Sequence, residues 1–574
     1  MTSSPSSFPP ERDGREAERY LERVASGEVT SCAKMRSLAA IMLPRIRDGH
    51  GVWRYDPGAA KRPVEFMERF CKLPQGKVGA PFVLEDYEAS LVELAFGFVD
   101  ADGNREFREV MMVVGRKNGK TSLAAALALY MLMADKEYSP QCYSVATSKD
   151  QASLTYGSIL NMVKQSPALS RHLRKGIVPA RHQDGLMFDA GAGYFTPLSS
   201  QTRNLDGLNV HFAVIDEMAA ITNRDVYDLV KQATGARDNP LVLTITTNGF
   251  ERGGVFDDQY EYASRWLDGK LRDDTFLPVV YELDERSEWT DRAAWPKANP
   301  GLGTVKKESY LEAQVQKARN DASYLPTVLT KEFNVPENKA SAWLRYEEAV
   351  NPAAFDLDAM GFRYCVVGYD ASDSVDLTAA KAMMMRPGDD RIYEASMYWL
   401  PEAALESRRR SGLRVERDRA PYEKWVSNDL VRLVPGNKID HRVVFQWIQE
   451  LAEEHGIYTL ALGYDPWHLT DDAWTSLARM TVGESNAEVV RFGPKTMSAP
   501  MKAIKADFAA NRIVDNHNPV NEWCRMNVSV SIDRNDNWQP VKGKGAEGRI
   551  DGFAAEICAY ITLDRHIDAY RGLM

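Results

Sequence analysis

From Phe107 onward the chain alternates short apolar runs with longer amphipathic stretches. Residues 110–114, 143–146, 212–215 and 241–246 are each too short for a helix and carry no charged side chain. That is the pattern of strands buried on both faces of a mostly parallel sheet. The intervals between them read as helices, and 122–133 is the most continuous. A second set of apolar runs, at 364–369, 392–399, 459–464 and 526–532, leads to a closing helix over 552–562. Upstream, 16–47 reads as helical, and the stretch to Phe70 adds the aromatics Trp53, Tyr55 and Phe66. Between 257 and 336 the pattern is helical and charged, broken at Trp295-Pro296 and at Asn299-Pro300-Gly301.

These changes of pattern divide the chain into a lead and helical subdomain (1–75), an α/β core (76–256), a lid and connector (257–345) and a second α/β domain (355–574). Length agrees with two domains, because single cores stop growing near roughly 250–300 residues and this chain has 574. The formal net charge of −10 gives no support to a nucleic-acid partner, so a DNA-binding surface has to be a local concentration of Lys and Arg. The cysteines, Cys32, Cys71, Cys142, Cys365, Cys524 and Cys558, lack the paired spacing of a zinc or redox site and are expected as free buried thiols. Residues 1–15 are polar, unlike a secretory signal, and are expected to form a disordered lead. The longest apolar stretch, 123–134, is short of the roughly 20 residues that span a bilayer, so no membrane role is expected.

The run at 110–114 leads into Gly115-Arg116-Lys117-Asn118-Gly119-Lys120-Thr121 and then a helix, the strand, loop and helix order of a phosphate-binding (Walker A) loop. The strict pattern has a glycine where Val114 stands. Gly115, Asn118 and Gly119 shape a loop whose N–H groups face phosphate oxygens, Lys120 neutralises β/γ charge, and Thr121 ligates Mg²⁺. Lys120 is expected on a solvent-accessible loop. Val214-Ile215-Asp216-Glu217 reads as a Walker-B-like strand end, with Asp216 for the Mg²⁺ of bound ATP and Glu217 as the base for the attacking water. A third strand ends in Thr246-Thr247-Asn248-Gly249, where Thr247 and Asn248 are candidates to sense the γ-phosphate.

In the second half Asp370 ends one apolar run, with Asp373 and Asp376 just beyond; Asp465 ends another, and Asp551 precedes the closing helix. Carboxylates on converging elements repel one another unless cations are present. Asp370, Asp465 and Asp551 are therefore candidate ligands of paired Mg²⁺ or Mn²⁺ ions and the acidic set of an RNase H-like nuclease. The bland reading makes two of them strand stops and Asp551 a helix cap. Lys542 and Lys544 flank this site and suit a phosphate backbone. His468 is read as a packed or surface residue, and Arg408-Arg409-Arg410 as a solvated helix face.

With these motifs in view, the chain resembles the large terminase subunits of tailed double-stranded DNA phages, from about Tyr20 onward. The resemblance is carried by Ala146-Thr147-Ser148-Lys149-Asp150-Gln151-Ala152, Leu205-Asp206-Gly207-Leu208-Asn209 and Trp295-Pro296-Lys297-Ala298-Asn299-Pro300. Trp399-Leu400-Pro401, Val434-Pro435-Gly436-Asn437, Tyr464-Asp465-Pro466-Trp467 and Arg549-Ile550-Asp551-Gly552 carry it through the second half. It implies a RecA/ASCE-like P-loop ATPase domain followed by an RNase H-like α/β nuclease domain. It further implies a homo-oligomeric ring on the portal protein of a procapsid, in the host cytoplasm, fed double-stranded DNA by a small terminase subunit. That motor drives DNA inward by ATP hydrolysis and cuts concatemeric genomes. The resemblance makes Arg116 a candidate to stabilise the γ-phosphate, with Arg203 of a neighbouring subunit as the competing idea. Where the family commonly has a Gln that reads adenine, this chain has Glu88, which lacks the amide's paired donor and acceptor. The rival reading, a helicase or translocase without nuclease activity, calls for a second set of nucleotide-sensing motifs, and the second half has acids at strand ends instead.

Overall fold

In the computed structural model, which describes residues 12–178, 183–199, 207–221, 224–250, 254–321, 323–337, 343–372, 377–411, 420–467, 469, 472–542 and 549–574, the chain divides after Pro336 into two units.

The first unit begins with helices α1 (Glu16–Ser26), α2 (Ala33–Asp48), α3 (Pro57–Phe70) and α4 (Asp86–Gly97). In α1 the buried Ala17, Tyr20, Leu21 and Val24 recur at helical spacing, and Gly27 ends the helix in the left-handed region at φ 80°. The sheet follows as β1 (Glu109–Val113), α5 (Lys120–Met133), β2 (Gln141–Ala146), α6 (Lys149–Gln165), β3 (Leu173–Val178), β4 (Gln183–Phe188), β5 (Gly193–Ser199), β6 (Val210–Asp216), β7 (Leu241–Thr246) and β8 (Phe276–Val280). Its order is β8-β1-β7-β6-β2-β5-β4-β3, parallel from β8 through β5, with β4 and β3 antiparallel at one edge. Every residue of β1, β6 and β7 is buried, which suits strands that are apolar apart from Glu109, His211, Asp216 and the threonines of β7. These three are neighbours and parallel, so the loops after Val113, Asp216 and Thr246 emerge at the same end of the sheet, where ligands of open α/β sheets bind.

Two features depart from the pattern expected of the sequence. β3 (LRKGIV) and β4 (QDGLMF) carry charged and polar residues and are partly exposed, and β5 (GYFTPLS), paired on both sides by β2 and β4, is interrupted by Thr196 and Pro197, so no continuous apolar run marks them. Residues 276–280 fall in a stretch read as helical, yet this FLPVV run is fully buried as β8 against β1. The remaining connector forms α7 (Glu308–Asn320) and α8 (Leu325–Phe333) around a small core of Trp295, Ala298, Leu311, Val315, Leu329 and Phe333.

The second unit contains β9 (Tyr364–Asp370), β10 (Thr378–Arg386), β11 (Asp389–Pro401), β12 (Arg432–Val434), α9 (Val443–His455), β13 (Tyr458–Tyr464), α10 (Asp472–Val482), β14 (Ala487–Val489), α11 (Pro494–Ala509), β15 (Ile513–Val514), α12 (Pro519–Met526), the hairpin β16 (Val528–Ile532) and β17 (Trp538–Lys542), and α13 (Asp551–Arg565). The sheet order is β12-β11-β10-β9-β13-β14, with β15 also on β11. β9, β10 and β11 form an antiparallel meander, and β13 and β14 run parallel to β9, which is the RNase H-like arrangement. Helix α13 packs on β9, β10 and β13. Trp447 of α9 and Trp474 of α10 belong to a separate core with Tyr369 and Trp399, where Tyr369 and Trp474 stack at 5.8 Å.

All six cysteines are free and buried, as expected. Among the described residues no helix is long and apolar enough to cross a membrane.

Candidate active sites

Residues 114–119 connect β1 to α5, with Lys117 at φ 65° and Gly119 at φ 73° turning the chain into the helix. Gly119 is the N-cap and brings no side-chain cap, so the first-turn N–H groups of α5 stay available to an anion. A Cβ on Gly119 would lie 2.6 Å from Oε1 of Glu88. At Gly115 a Cβ would strike the Glu332 carbonyl and the Asn299 side chain, so only glycine lets the loop lie against the connector there. The Asn118 side chain faces the same way: its amide donates to the Gly115 carbonyl (2.9 Å) and to Asn299 Oδ1 (2.9 Å), and its oxygen accepts from the Gly301 N–H (3.1 Å). Asn118 thus shapes the loop through its side chain. Arg116 is exposed, and its N–H donates to the Lys331 carbonyl at 2.9 Å.

Lys120 is buried, not solvent-accessible as expected, and Nζ donates to the Val114 carbonyl at 3.1 Å. Burial pushes this ammonium down to about 8, although Glu217 and Asp216 pull it back up. Asp216 shows the converse: burial, then the neighbouring Glu217, raises its carboxyl to about 6, against the opposing pull of Lys120. Asp216 also accepts from the Thr155 hydroxyl of α6 at 3.3 Å. Glu217 holds a left-handed backbone at φ 55°, a conformation non-glycine residues adopt rarely and chiefly where function over-determines it. Its N–H donates to the Ile245 carbonyl at 3.0 Å. Thr121, in the first turn of α5, is half-buried at the same end of the sheet. A buried ammonium, a carboxylate and a hydroxyl around an open helix N-terminus form a donor set that fits a nucleotide phosphate with a hard divalent ion.

The end of β7 is tied to the connector. Thr247 Oγ1 and the Asn248 carbonyl accept from Lys331 Nζ at 3.2 and 2.9 Å, and the Asn248 side chain donates to the Asn334 carbonyl at 3.1 Å. Lys331 Nζ also lies 3.9 Å from Glu217 Oε2. Beneath these contacts Lys306 forms a buried ion pair with Glu332 at 2.6 Å and donates to Asn299 Oδ1 at 2.6 Å. Sequence reasoning missed Lys331, Asn334 and Lys306. Asn299 was legible only as part of a Pro-Gly break. Glu88 caps its own helix, accepting from the Glu85 N–H at 3.1 Å, and burial raises its carboxyl to about 8.

In the second unit Asp370 closes β9, Asp465 follows β13, and Asp551 opens α13. The Asp370 carboxyl is held well above the usual range, by burial first and then by the negative charges of Asp551 and Asp465, with Lys542 opposing. The electrostatics therefore place the three acids and Lys542 in one neighbourhood. Two glycines permit it. A Cβ on Gly368 would strike the Ala555 and Ala559 backbone, and one on Gly463 would strike the Thr562 hydroxyl, so α13 lies directly on β9 and β13. Arg525 of α12 fastens that helix further, bonding Glu556 at 3.0 Å and Asp515 at 2.7 Å in the core. The N-cap of α13 is Ile550, with no side-chain cap bond, and Asp551 is the first helical residue. An all-carboxylate donor set under mutual repulsion fits hard divalent cations.

Among the described residues the one group of three ligating side chains whose atoms all lie within 4.8 Å of one another is His50, Glu106 and Asp274, remote from these motifs in sequence. The Arg45 guanidinium already sits among them, 2.6 Å from Glu106 and 3.2 Å from Asp274, which makes an ion-pair cluster. Arg203, Leu205, Asp206, Asp373, Asp376, His468 and Lys544 lie outside the described residues, as do the side chains of Lys149, Arg408, Arg409 and Arg410.

The family model for the terminase large subunit endonuclease domain matches residues 270–566, more than half of the chain, and that for the terminase large subunit ATPase domain matches 86–265. The chain belongs to the terminase large subunit family. It is 27% identical over 509 residues to the terminase large subunit of Enterobacteria phage HK97, covering 86% of this chain and 94% of that one. To the terminase large subunit of Lactococcus phage p2 it is 21% identical over 513 residues, covering 88% and 91%. Among solved structures, the crystal structure of the HK97 bacteriophage large terminase aligns with a TM-score of 0.46 at 24% identity, covering 87% of this chain and 99% of that chain. This terminase large subunit therefore combines an ATPase and an endonuclease. The endonuclease match begins inside the connector, at 270, whereas residues 270–336 pack in the first unit with the ATPase motifs.

Proposed function

We propose that this terminase large subunit packages phage DNA with the residues described above, each in a defined role. Lys120 and the N–H groups at Asn118 and Gly119 hold the β- and γ-phosphates of ATP, while Gly115, whose own N–H donates to the Ala298 carbonyl at 3.1 Å, sets the loop's path beside the nucleotide; Thr121 and Asp216 hold Mg²⁺, and Glu217 takes a proton from the attacking water. Arg116, exposed in the loop, is the candidate to stabilise the γ-phosphate, with Arg203 of a neighbouring subunit as the alternative. Thr247 and Asn248 carry the nucleotide state toward the connector. In the nuclease, Asp370, Asp465 and Asp551 hold two ions, Mg²⁺ or Mn²⁺, whose charge when bound stabilises the attacking and leaving oxygens of a phosphodiester. Lys542 steers the DNA backbone to them. The motor works as a ring on the portal of a procapsid, receives double-stranded DNA from a small terminase subunit, and acts in the host cytoplasm. A domain plan of lead and helical subdomain (1–75), ATPase core (76–256), lid and connector (257–345) and nuclease (355–574) suits these roles.

The observation that carries this reading is the pairing, in one chain, of an open phosphate loop beside Asp216 and Glu217 with Asp370, Asp465 and Asp551 converging in the second unit. The test is separation of the activities. Lys120→Ala is expected to lose phosphate release and retain Mn²⁺-dependent plasmid cleavage, and Asp370→Ala to do the reverse. A wild type that never cuts under any divalent metal would favour a translocase without nuclease activity.

A further inference from the structure

We propose that Lys331 is a positioning residue for ATP hydrolysis: its ammonium, anchored on Thr247 and the Asn248 carbonyl, sets the Glu217 carboxylate and ties it to the connector. This rests on the reading of Glu217 as the base. The geometry assigns the role by elimination of slack. The Glu217 backbone is held by its strained left-handed turn and its bond to Ile245, so the remaining freedom is in the side chain. That side chain is 31% exposed, open to water, and Lys331 Nζ stands 3.9 Å from it, close enough to orient a carboxylate by charge without blocking its oxygens.

Lys331 is itself constrained. It lies in the last turn of α8, its side chain is 13% exposed, and Nζ donates to Thr247 at 3.2 Å and to the Asn248 carbonyl at 2.9 Å. Lys120 cannot replace it, because its Nζ is held by the Val114 carbonyl on the loop side. The Lys331 carbonyl also accepts the Arg116 N–H at 2.9 Å, so a single connector residue touches the phosphate loop through its backbone and the base through its side chain. In the reaction Glu217 receives the proton of the attacking water, oxygen bonds to the γ-phosphorus, and ADP leaves with the bridging oxygen. Lys331 moves no proton. It keeps the acceptor aimed at the water.

The experiment uses the full-length chain and its Lys331→Gln, Lys331→Met and Lys331→Arg variants, measuring kcat and KM for ATP, binding of a slowly hydrolysed ATP analogue, and melting temperature. Both neutral variants are expected to lose about tenfold to a hundredfold in kcat, with KM and analogue affinity nearly unchanged, and arginine is expected to restore most of the rate. On a Glu217→Gln background the Lys331→Gln change is expected to cost nothing further, since the two act as one unit. Wild-type kcat in either neutral variant that melts like wild type, an additive loss in the double variant, or a rise in KM that accounts for the loss would each overturn the proposal. Near-normal turnover by Glu217→Gln alone would instead remove the base assignment beneath it. Plasmid cleavage should be unaffected throughout.

Discussion

The Asn118 amide donates to the Asn299 side-chain oxygen at 2.9 Å, so the phosphate loop and the connector are joined side chain to side chain. Asn299 also accepts from Lys306 at 2.6 Å and donates to the Glu332 carbonyl at 2.9 Å. Replacing it by leucine leaves Asn118 and Lys306 buried without this acceptor, a loss of roughly 1–3 kcal/mol per unsatisfied group. Asn299→Leu is therefore expected to lower the melting temperature of the first transition and to raise KM for ATP. Cleavage by the second unit should persist. Melting curves alongside ATPase and plasmid assays check both halves of the expectation, and an unchanged KM would mean the loop keeps its shape without this contact.

Glu88 gives a pH-dependent prediction. Burial lifts its carboxyl to about 8, above its value in the unfolded chain. A raised folded value means that the stabilising, protonated form is fully present below the unfolded pKa and is lost as pH climbs through the folded one. Glu88→Gln can still cap Glu85 but does not ionise. The variant should match wild type near pH 4.5 and gain on it toward pH 8, by at most about 1.4 kcal/mol per pH unit. Thermal melts at several pH values read this directly. A stability difference that does not change with pH would show that ionisation at Glu88 is not what burial penalises.

Gly368→Ala tests how closely α13 must lie. The added Cβ meets backbone atoms of Ala555 and Ala559, which cannot rotate aside as a side chain would. Overpacking of this kind costs about 1–3 kcal/mol or more, and displacing α13 moves Asp551 away from Asp370. DNA cleavage is expected to fall severely while ATPase activity remains. Gly572→Ala is the control, since nothing lies within 4 Å of its Cβ position in the short helix Ile567–Leu573 that follows α13. Full cleavage by Gly368→Ala would mean that the helix can be displaced without harm to the site.

Asp370→Ala, Asp465→Ala and Asp551→Ala are each expected to abolish cleavage and leave ATP hydrolysis in place. In chelator their melting temperatures should hold or rise slightly, because deleting one acid relieves the repulsion that raises Asp370. If Asp551 served only its helix, its loss would instead cost up to about 2 kcal/mol with cleavage intact. Plasmid digestion across a Mn²⁺ titration, with melts in parallel, distinguishes the two outcomes.

What the chain order determined is considerable, and for a local reason. Buried strands announce themselves through apolar runs, and polar or charged residues at their ends stand out against those runs, so Lys120, Asp216, Glu217, Asp370 and Asp465 could be named as candidates one strand at a time. β3 and β4 escaped because charged and polar residues break up their sequences at the sheet edge, β5 because Thr196 and Pro197 interrupt its apolar residues, and β8 because its run of five apolar residues lies in charged surroundings. Tertiary structure alone decided which distant residues complete each site. Lys331 and Asn334 follow the phosphate loop by more than two hundred positions. They reach the end of β7 only because the connector folds back through β8 and α8. Gly368 and Gly463 look like ordinary strand glycines until α13 is laid across them. Burial, too, is a property of the folded chain: nothing in Gly119-Lys120-Thr121 says that the Lys120 ammonium is enclosed, since desolvation depends on what packs over a residue and not on its neighbours in sequence.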